Sequence, residues 1–179
     1  TRIVQPKLAI NRILEIIGEL YGLNRIYILE LSDDNRYISM NYEWFNRENE
    51  SKKLSFQRID CSLLDQYFFY FDENEILQWS KNSPLSQNFE NVIPNDSLAG
   101  IQLLFYVAEK PIGILGIEYK EELEYPNYED INLFRYIAQI IGVKIQNMRY
   151  EKEIFRLSGA DGVTGFMNFT SFYEQGEEI

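Results

Sequence analysis

The sequence predicts an α+β domain with helices segregated about one antiparallel sheet. Three observations carry this. A helix-period apolar stripe opens the chain, a longer one closes it, and the strand-like runs between them come in pairs joined by short turns. Strands joined by short turns pair antiparallel, because a parallel pair needs a long crossover.

The elements follow in order. After Pro6, LAINRILEIIGELYG has apolar residues at Leu8, Ile10, Ile13, Leu14, Ile16, Ile17 and Leu20, a helical spacing that Gly22 can terminate. NRIYILELS, the turn DDNR and YISMNYEWF read as a hairpin, and the polar residues 46–58 as a loop. CSLLDQYFFYF (61–71) is too apolar to be exposed and reads as a short helix. EILQWS (75–80) reads as a short strand, and 81–97, with Pro84 and Pro94, as turns around one helical turn. A strand over 98–107, a tight turn at Ala108–Pro111 and a strand over 112–120 are nearly continuously apolar, as in a sheet covered on both faces. The acidic loop KEELEYPN then precedes a long helix from about Tyr128 to Leu157.

Composition narrows the chemistry. The 179 residues suffice for one core without staples, and 45% hydrophobic with 25% charged residues is a globular balance. There is no histidine, so Ser-His-Asp triads, Cys-His pairs and His-ligated metal or haem sites cannot be built within the chain. The single cysteine, Cys61, permits neither an internal disulfide nor a CxxC pair. A net charge of −11 with scattered Lys and Arg argues against a nucleic-acid partner. No apolar run approaches a membrane span and no signal peptide is visible, so the expected setting is cytoplasmic, with no membrane contact from this segment.

The stretch Leu98 to Tyr119, with Glu109-Lys110-Pro111 before Ile112-Gly113-Ile114-Leu115-Gly116-Ile117, resembles the penultimate hairpin and last strand of a GAF domain, a sensory module of bacterial signalling proteins. PAS domains share the antiparallel sheet, but the long terminal helices favour GAF. The resemblance implies a sheet of about five to six strands flanked by N- and C-terminal helices over residues 6–147. At the other end, Asp161-Gly162-Val163-Thr164-Gly165-Phe166-Met167-Asn168 resembles D-x-L-T-G-L-x-N-R, the opening of the GGDEF domain of diguanylate cyclases. Phe172 fits the same pattern, whereas Phe169 stands where the family has Arg. That implies a linker helix over 148–160 and the start of an output domain over 161–179. Asn168 would contact guanine in the intact domain, and Glu177 would add a second contact. The alternative is a polar helix stop. The metal-binding Asp and the GG(D/E)EF loop do not occur before Ile179, so these residues are not themselves the cyclase. By resemblance, the intact protein makes cyclic di-GMP from GTP, or binds GTP if degenerate.

The same resemblance places a ligand cavity between the sheet and residues 61–97. The aromatic residues Tyr42, Trp44, Tyr67, Phe68, Phe71, Trp79 and Phe89 are the candidate walls for an unidentified small, planar ligand. The alternative is that these rings fill the core and the domain is a ligand-free dimerisation scaffold. Phe71-Asp72-Glu73 matches only the end of the pattern expected of cyclic-nucleotide-binding GAF domains. Cys61 is followed by Ser62 rather than the His usual at bilin attachment sites, so no cofactor is assigned. The acidic clusters Glu118–Glu124 and Glu129–Asp130 suit a solvated loop at a helix start better than a cation site, and no metal is assigned.

In the last helix, Leu133, Ile137 and Ile140 are expected on the sheet. Ile131, Phe134, Ala138, Ile141, Ile145, Met148 and Phe155 follow a 3-4 alternation, broken at Lys152, and are expected to form the seam of a parallel homodimer. Packing on the chain's own first helix is the alternative.

Overall fold

In the computed structural model, which describes residues 4–94, 97–121 and 126–158, the first helix, α1 (Val4–Leu20), buries Ile10, Leu14 and Ile17. It ends where Gly22 takes a left-handed conformation (φ 59°), and the Leu23 amide donates to the Gly18 carbonyl at 2.9 Å. Two hairpins then build most of a sheet. The first pairs β1 (Arg25–Leu31) with β2 (Tyr37–Phe45), and the second pairs β5 (Ala99–Val107) with β6 (Lys110–Tyr119). The second hairpin turns on Ala108 and Glu109, both at positive φ, the twist that two-residue hairpins require.

Between the hairpins lie β3 (Ile59–Asp60), a 3₁₀ turn (Cys61–Leu64), α2 (Asp65–Phe68), β4 (Ile76–Ser80) and α3 (Pro84–Asn88). The six strands form one antiparallel sheet in the order β3-β2-β1-β6-β5-β4, so the α+β expectation holds. The two-residue β3 is too short to carry a sequence signal.

Both faces of the sheet are covered, which explains the apolar runs of β5 and β6. The near face packs Ile26, Ile28, Ile101, Leu103, Leu115 and Ile117 against α1 and the last helix, α4 (Tyr128–Leu157). The far face packs Tyr27, Leu29, Met40, Leu77 and Ile114 against Phe56 and residues from the segment 64–93.

Asn127 caps α4, its side chain accepting from the Asp130 amide at 2.9 Å, with Glu129 and Asp130 favourably placed in the first turn. The two stripes of α4 are not assigned as the sequence suggests. Phe134, Ala138, Ile141 and Ile145 are buried in the near-face core, and Ile131 and Met148 pack at its margin. The residues expected to form a dimer seam therefore bury themselves in their own domain, except Phe155, which is exposed. Of the three expected on the sheet, Ile137 is buried, while Leu133 and Ile140 face outward. The cause is small side chains. Ala138 and Gly142, one turn apart, let α4 approach β5 so closely that a Cβ at Gly142 would meet the Phe105 ring at 3.0 Å. No helix among the described residues is long and apolar enough to cross a membrane. The GGDEF-like residues 161–179, with Asn168, lie outside the described residues.

Candidate functional site

The far face holds an aromatic layer. Tyr67 projects from α2 and is fully buried, with ring centroids 5.8 Å from Phe68, 5.6 Å from Phe71 and 5.1 Å from Phe89. Trp79 from β4 and Phe89 after α3 are buried in the same layer, while Phe68 and Phe71 lie at its rim. Five of the seven expected wall residues are thus brought together.

Tyr42 and Trp44 are not among them; they lie on the near face, Tyr42 buried in that core and Trp44 half-buried against it. The cause is a β-bulge. Ile28 pairs with Tyr42 but Leu29 pairs with Met40, leaving Asn41 as the extra residue. Strict alternation would put Met40, Tyr42 and Trp44 on one face; the inserted residue sends the last two to the other. The displaced backbone is satisfied, since the Met40 amide donates to the Phe56 carbonyl at 2.7 Å and Gln57 Nε2 donates to the Met40 carbonyl at 3.0 Å.

A polar line crosses the layer that sequence reasoning missed. The Tyr67 hydroxyl donates to Gln102 Oε1, and Gln102 Nε2 donates to the Tyr27 hydroxyl at 2.7 Å and to the Val92 carbonyl at 2.9 Å. Gln102 is the one amide side chain within AGIQLLFYV, which was the available signal. Tyr27 lies across Gly116, where any Cβ would strike its ring, and Trp79 lies against Gly100, whose added Cβ would come within 2.7 Å of the indole. The Trp79 indole N–H is buried with no hydrogen-bond partner among the described residues.

Burial pushes the Tyr67 phenol well above its ordinary value, and burial followed by the charge of Glu118 does the same for Tyr27. Burial also raises Tyr42, to about 12. A phenol whose folded value is raised contributes stability that is complete below pH 10 and is lost as pH rises toward its folded value. In an alkaline titration, these three tyrosines should ionise only with unfolding, read by phenolate absorbance alongside circular dichroism. Ionisation of all 13 tyrosines near pH 10 in a folded chain would contradict the burial.

Beside the layer opens a cleft of about 430 Å³ lined by Asn35, Arg36, Asp60, Cys61, Ser62, Asp65 and Phe68. Burial first, then the charges of Asp60, Asp34 and Asp65, push the Cys61 thiol up, so the thiolate is disfavoured there. At the end of the sheet, Arg25 is fully buried between two carboxylates. Its Nη1 donates to Glu43 Oε1 and its Nε lies 3.4 Å from Glu118 Oε2. Both Nη groups also reach the Glu50 carbonyl at 3.1 Å, tying down the loop 46–58. Asn24 Nδ2 donates to Ser97 Oγ and Ser97 Oγ to Glu118 Oε2, each at 2.5 Å. Glu118 is therefore part of a buried lock rather than of a solvated loop. Among the described residues, no group of three metal-ligating side chains is assembled.

Comparison with solved structures places the architecture. The phycoerythrobilin-bound GAF domain of a cyanobacterial phytochrome matches with a TM-score of 0.62 at 14% identity, covering 84% of this chain and 92% of that one. The GAF domain of a two-component sensor histidine kinase from Bacillus halodurans matches with a TM-score of 0.58 at 16% identity, covering 78% and 95%. The chain has a GAF fold. The blue-light-absorbing form of the Thermosynechococcus elongatus PixJ GAF domain agrees, with a TM-score of 0.63 at 12% identity over 86% and 93%. No family model and no curated protein sequence matches the chain. In this GAF fold the aromatic layer lies between the sheet and residues 61–93, the region where the resemblance located a cavity.

Proposed function

We propose that this chain is the sensory and regulatory module of a cyclic di-GMP signalling protein, acting as a homodimer through α4 on a GGDEF-type output that begins near Asp161. The observation that carries the sensing role is the Trp79 indole N–H, a buried donor in the aromatic layer that no described residue satisfies. A buried donor left without a partner costs about 1–3 kcal/mol, so a group that accepts from it binds with that advantage. The layer favours a planar molecule bearing a hydrogen-bond acceptor, admitted past the rim residues Phe68 and Phe71 beside the cleft. A non-covalent mode fits the surroundings of Cys61, where burial and the neighbouring carboxylates disfavour the thiolate.

The output role rests on α4 and on Asp161–Asn168. The first part of α4 is held against the sheet, residues 151–158 are all exposed, and α4 ends at Leu157, four positions before Asp161 in the sequence. A ligand biases the output only as far as it prefers one arrangement of α4 over another. A second reading, a ligand-free dimerisation scaffold, is favoured by the ring-to-ring contacts of Tyr67, Phe68, Phe71 and Phe89, which fill much of the layer from within.

The output assignment is tested on the intact protein. Its coding sequence past Ile179 should supply a GG(D/E)EF loop and a metal-binding Asp, and the purified protein should convert GTP to cyclic di-GMP or bind GTP. A different downstream domain removes the cyclic di-GMP role and leaves the sensing role to be judged on ligand binding.

A further inference from the structure

A second cleft lies where α4 meets β5 on the near face, at the β4 edge of the sheet. β4 begins at Ile76, opposite Leu103, so among the described residues no strand lies beside Leu104–Val107 on that side. The chain enters β4 through a tight loop instead. Asp72 Oδ1 accepts from the Asn74 amide at 2.8 Å and the Ile76 amide at 3.0 Å, and the Leu104 amide donates to the Glu75 carbonyl at 3.1 Å. Across the gap, Arg135 Nη2 on α4 donates to the Asn74 carbonyl. The space left is about 150 Å³, with the buried Phe105 and Ala138 as an apolar base and Glu75, Tyr106, Arg135 and Gln139 also in its lining.

Arg135 and Glu75 bring opposite charges to this one small space. Among the described residues they form no ion pair with each other or with any other group. Burial, then hydrogen bonding to Glu75, push the Tyr106 phenol up, which keeps a protonated hydroxyl beside that carboxylate.

We propose that this cleft binds a small zwitterion of the α-amino acid type, its carboxylate on Arg135, its ammonium on Glu75 and its side chain against Phe105 and Ala138. The proposal goes beyond the sensing role of the far face, since neither Arg135 nor Glu75 belongs to the aromatic layer.

Charge and size select this ligand. A simple anion on Arg135 would lie beside the like charge of Glu75, and a simple amine on Glu75 would lie beside Arg135, so only a ligand bearing both signs is favoured by both walls. The guanidinium spends one donor on Asn74 and keeps others, in the fork that matches a carboxylate. A cavity of this volume takes a molecule of about the size of benzene, which suits the smaller amino acids and excludes a nucleotide. An occupant would bridge the loop that follows the aromatic segment to α4, where Arg135 already ties the two.

Isothermal titration calorimetry on the full chain tests this, with L-alanine, L-serine and L-valine as probes and propionate and propylamine as singly charged controls. At least one of the amino acids should bind saturably, one per chain, and at least about tenfold more tightly than either control. Arg135→Gln and Glu75→Gln should each weaken it at least about tenfold, the loss expected of one charge-assisted hydrogen bond. Trp79→Phe, in the aromatic layer, should leave it unchanged. On wild-type protein, amide shifts on titration by nuclear magnetic resonance should centre on residues 74–76, 104–107 and 135–139. No saturable binding of any of these amino acids overturns the proposal, as does a control that binds as tightly as they do. So does binding that persists in both charge variants, or amide shifts confined to the layer around Tyr67 and Trp79. Since the two sites respond to different substitutions, this site and the sensing role fail separately.

Discussion

Replacing Arg25 with methionine should cost the fold about 3–5 kcal/mol, the usual penalty for removing one partner from a buried charge cluster. Arg25, Glu43 and Glu118 have fully buried side chains, and Arg25 supplies the positive charge between the two carboxylates. Without it, Glu43 and Glu118 stay out of water with no guanidinium between them, and the Glu50 carbonyl loses both of its donors. Urea unfolding should show a lowered midpoint at unchanged slope, and the thermal midpoint should fall by roughly 10 °C. Adding Glu43→Gln and Glu118→Gln should recover part of the loss, because the two buried carboxylate charges are then gone. A single variant as stable as wild type would mean that the cluster is hydrated rather than buried.

Tyr67→Ala should be comparably severe, about 3–5 kcal/mol, since it removes a fully buried ring that Phe68, Phe71 and Phe89 pack around. Tyr67→Phe separates the hydroxyl from the ring. It keeps the packing but leaves Gln102 Oε1 without its donor, at a cost of about 1–3 kcal/mol. Equal losses in the two variants would show that the layer is held by the Gln102 line rather than by ring packing. Chemical denaturation of both variants beside wild type measures the difference.

Most of the architecture was legible because its signals are local. The stripe from Leu8 to Leu20, the stop at Gly22, the two hairpins and the span of α4 each follow from periodicity and turn residues within a dozen positions. The site was less legible because its determinants are not local. A single inserted residue, Asn41, moves Tyr42 and Trp44 to the opposite face, and nothing in YISMNYEWF distinguishes a bulged strand from a regular one. Arg25, Glu43 and Glu118 meet from three strands, so their pairing has no spacing to read. In α4 two apolar stripes run side by side with the same 3-4 spacing, and periodicity alone does not say which meets the sheet. Ala138 and Gly142 settle that by close approach, which becomes visible only once β5 is in place.

Native mass spectrometry of the freshly purified chain, followed by denaturation, tests the central claim that the far face senses a small molecule. The account predicts one molecule per chain above the 21.3 kDa polypeptide mass, released on unfolding and lost or weakened in Trp79→Phe, which removes the unsatisfied N–H. Wild type at bare mass, with no thermal stabilisation by any planar acceptor-bearing compound in a screen, would contradict it and leave the self-filled scaffold.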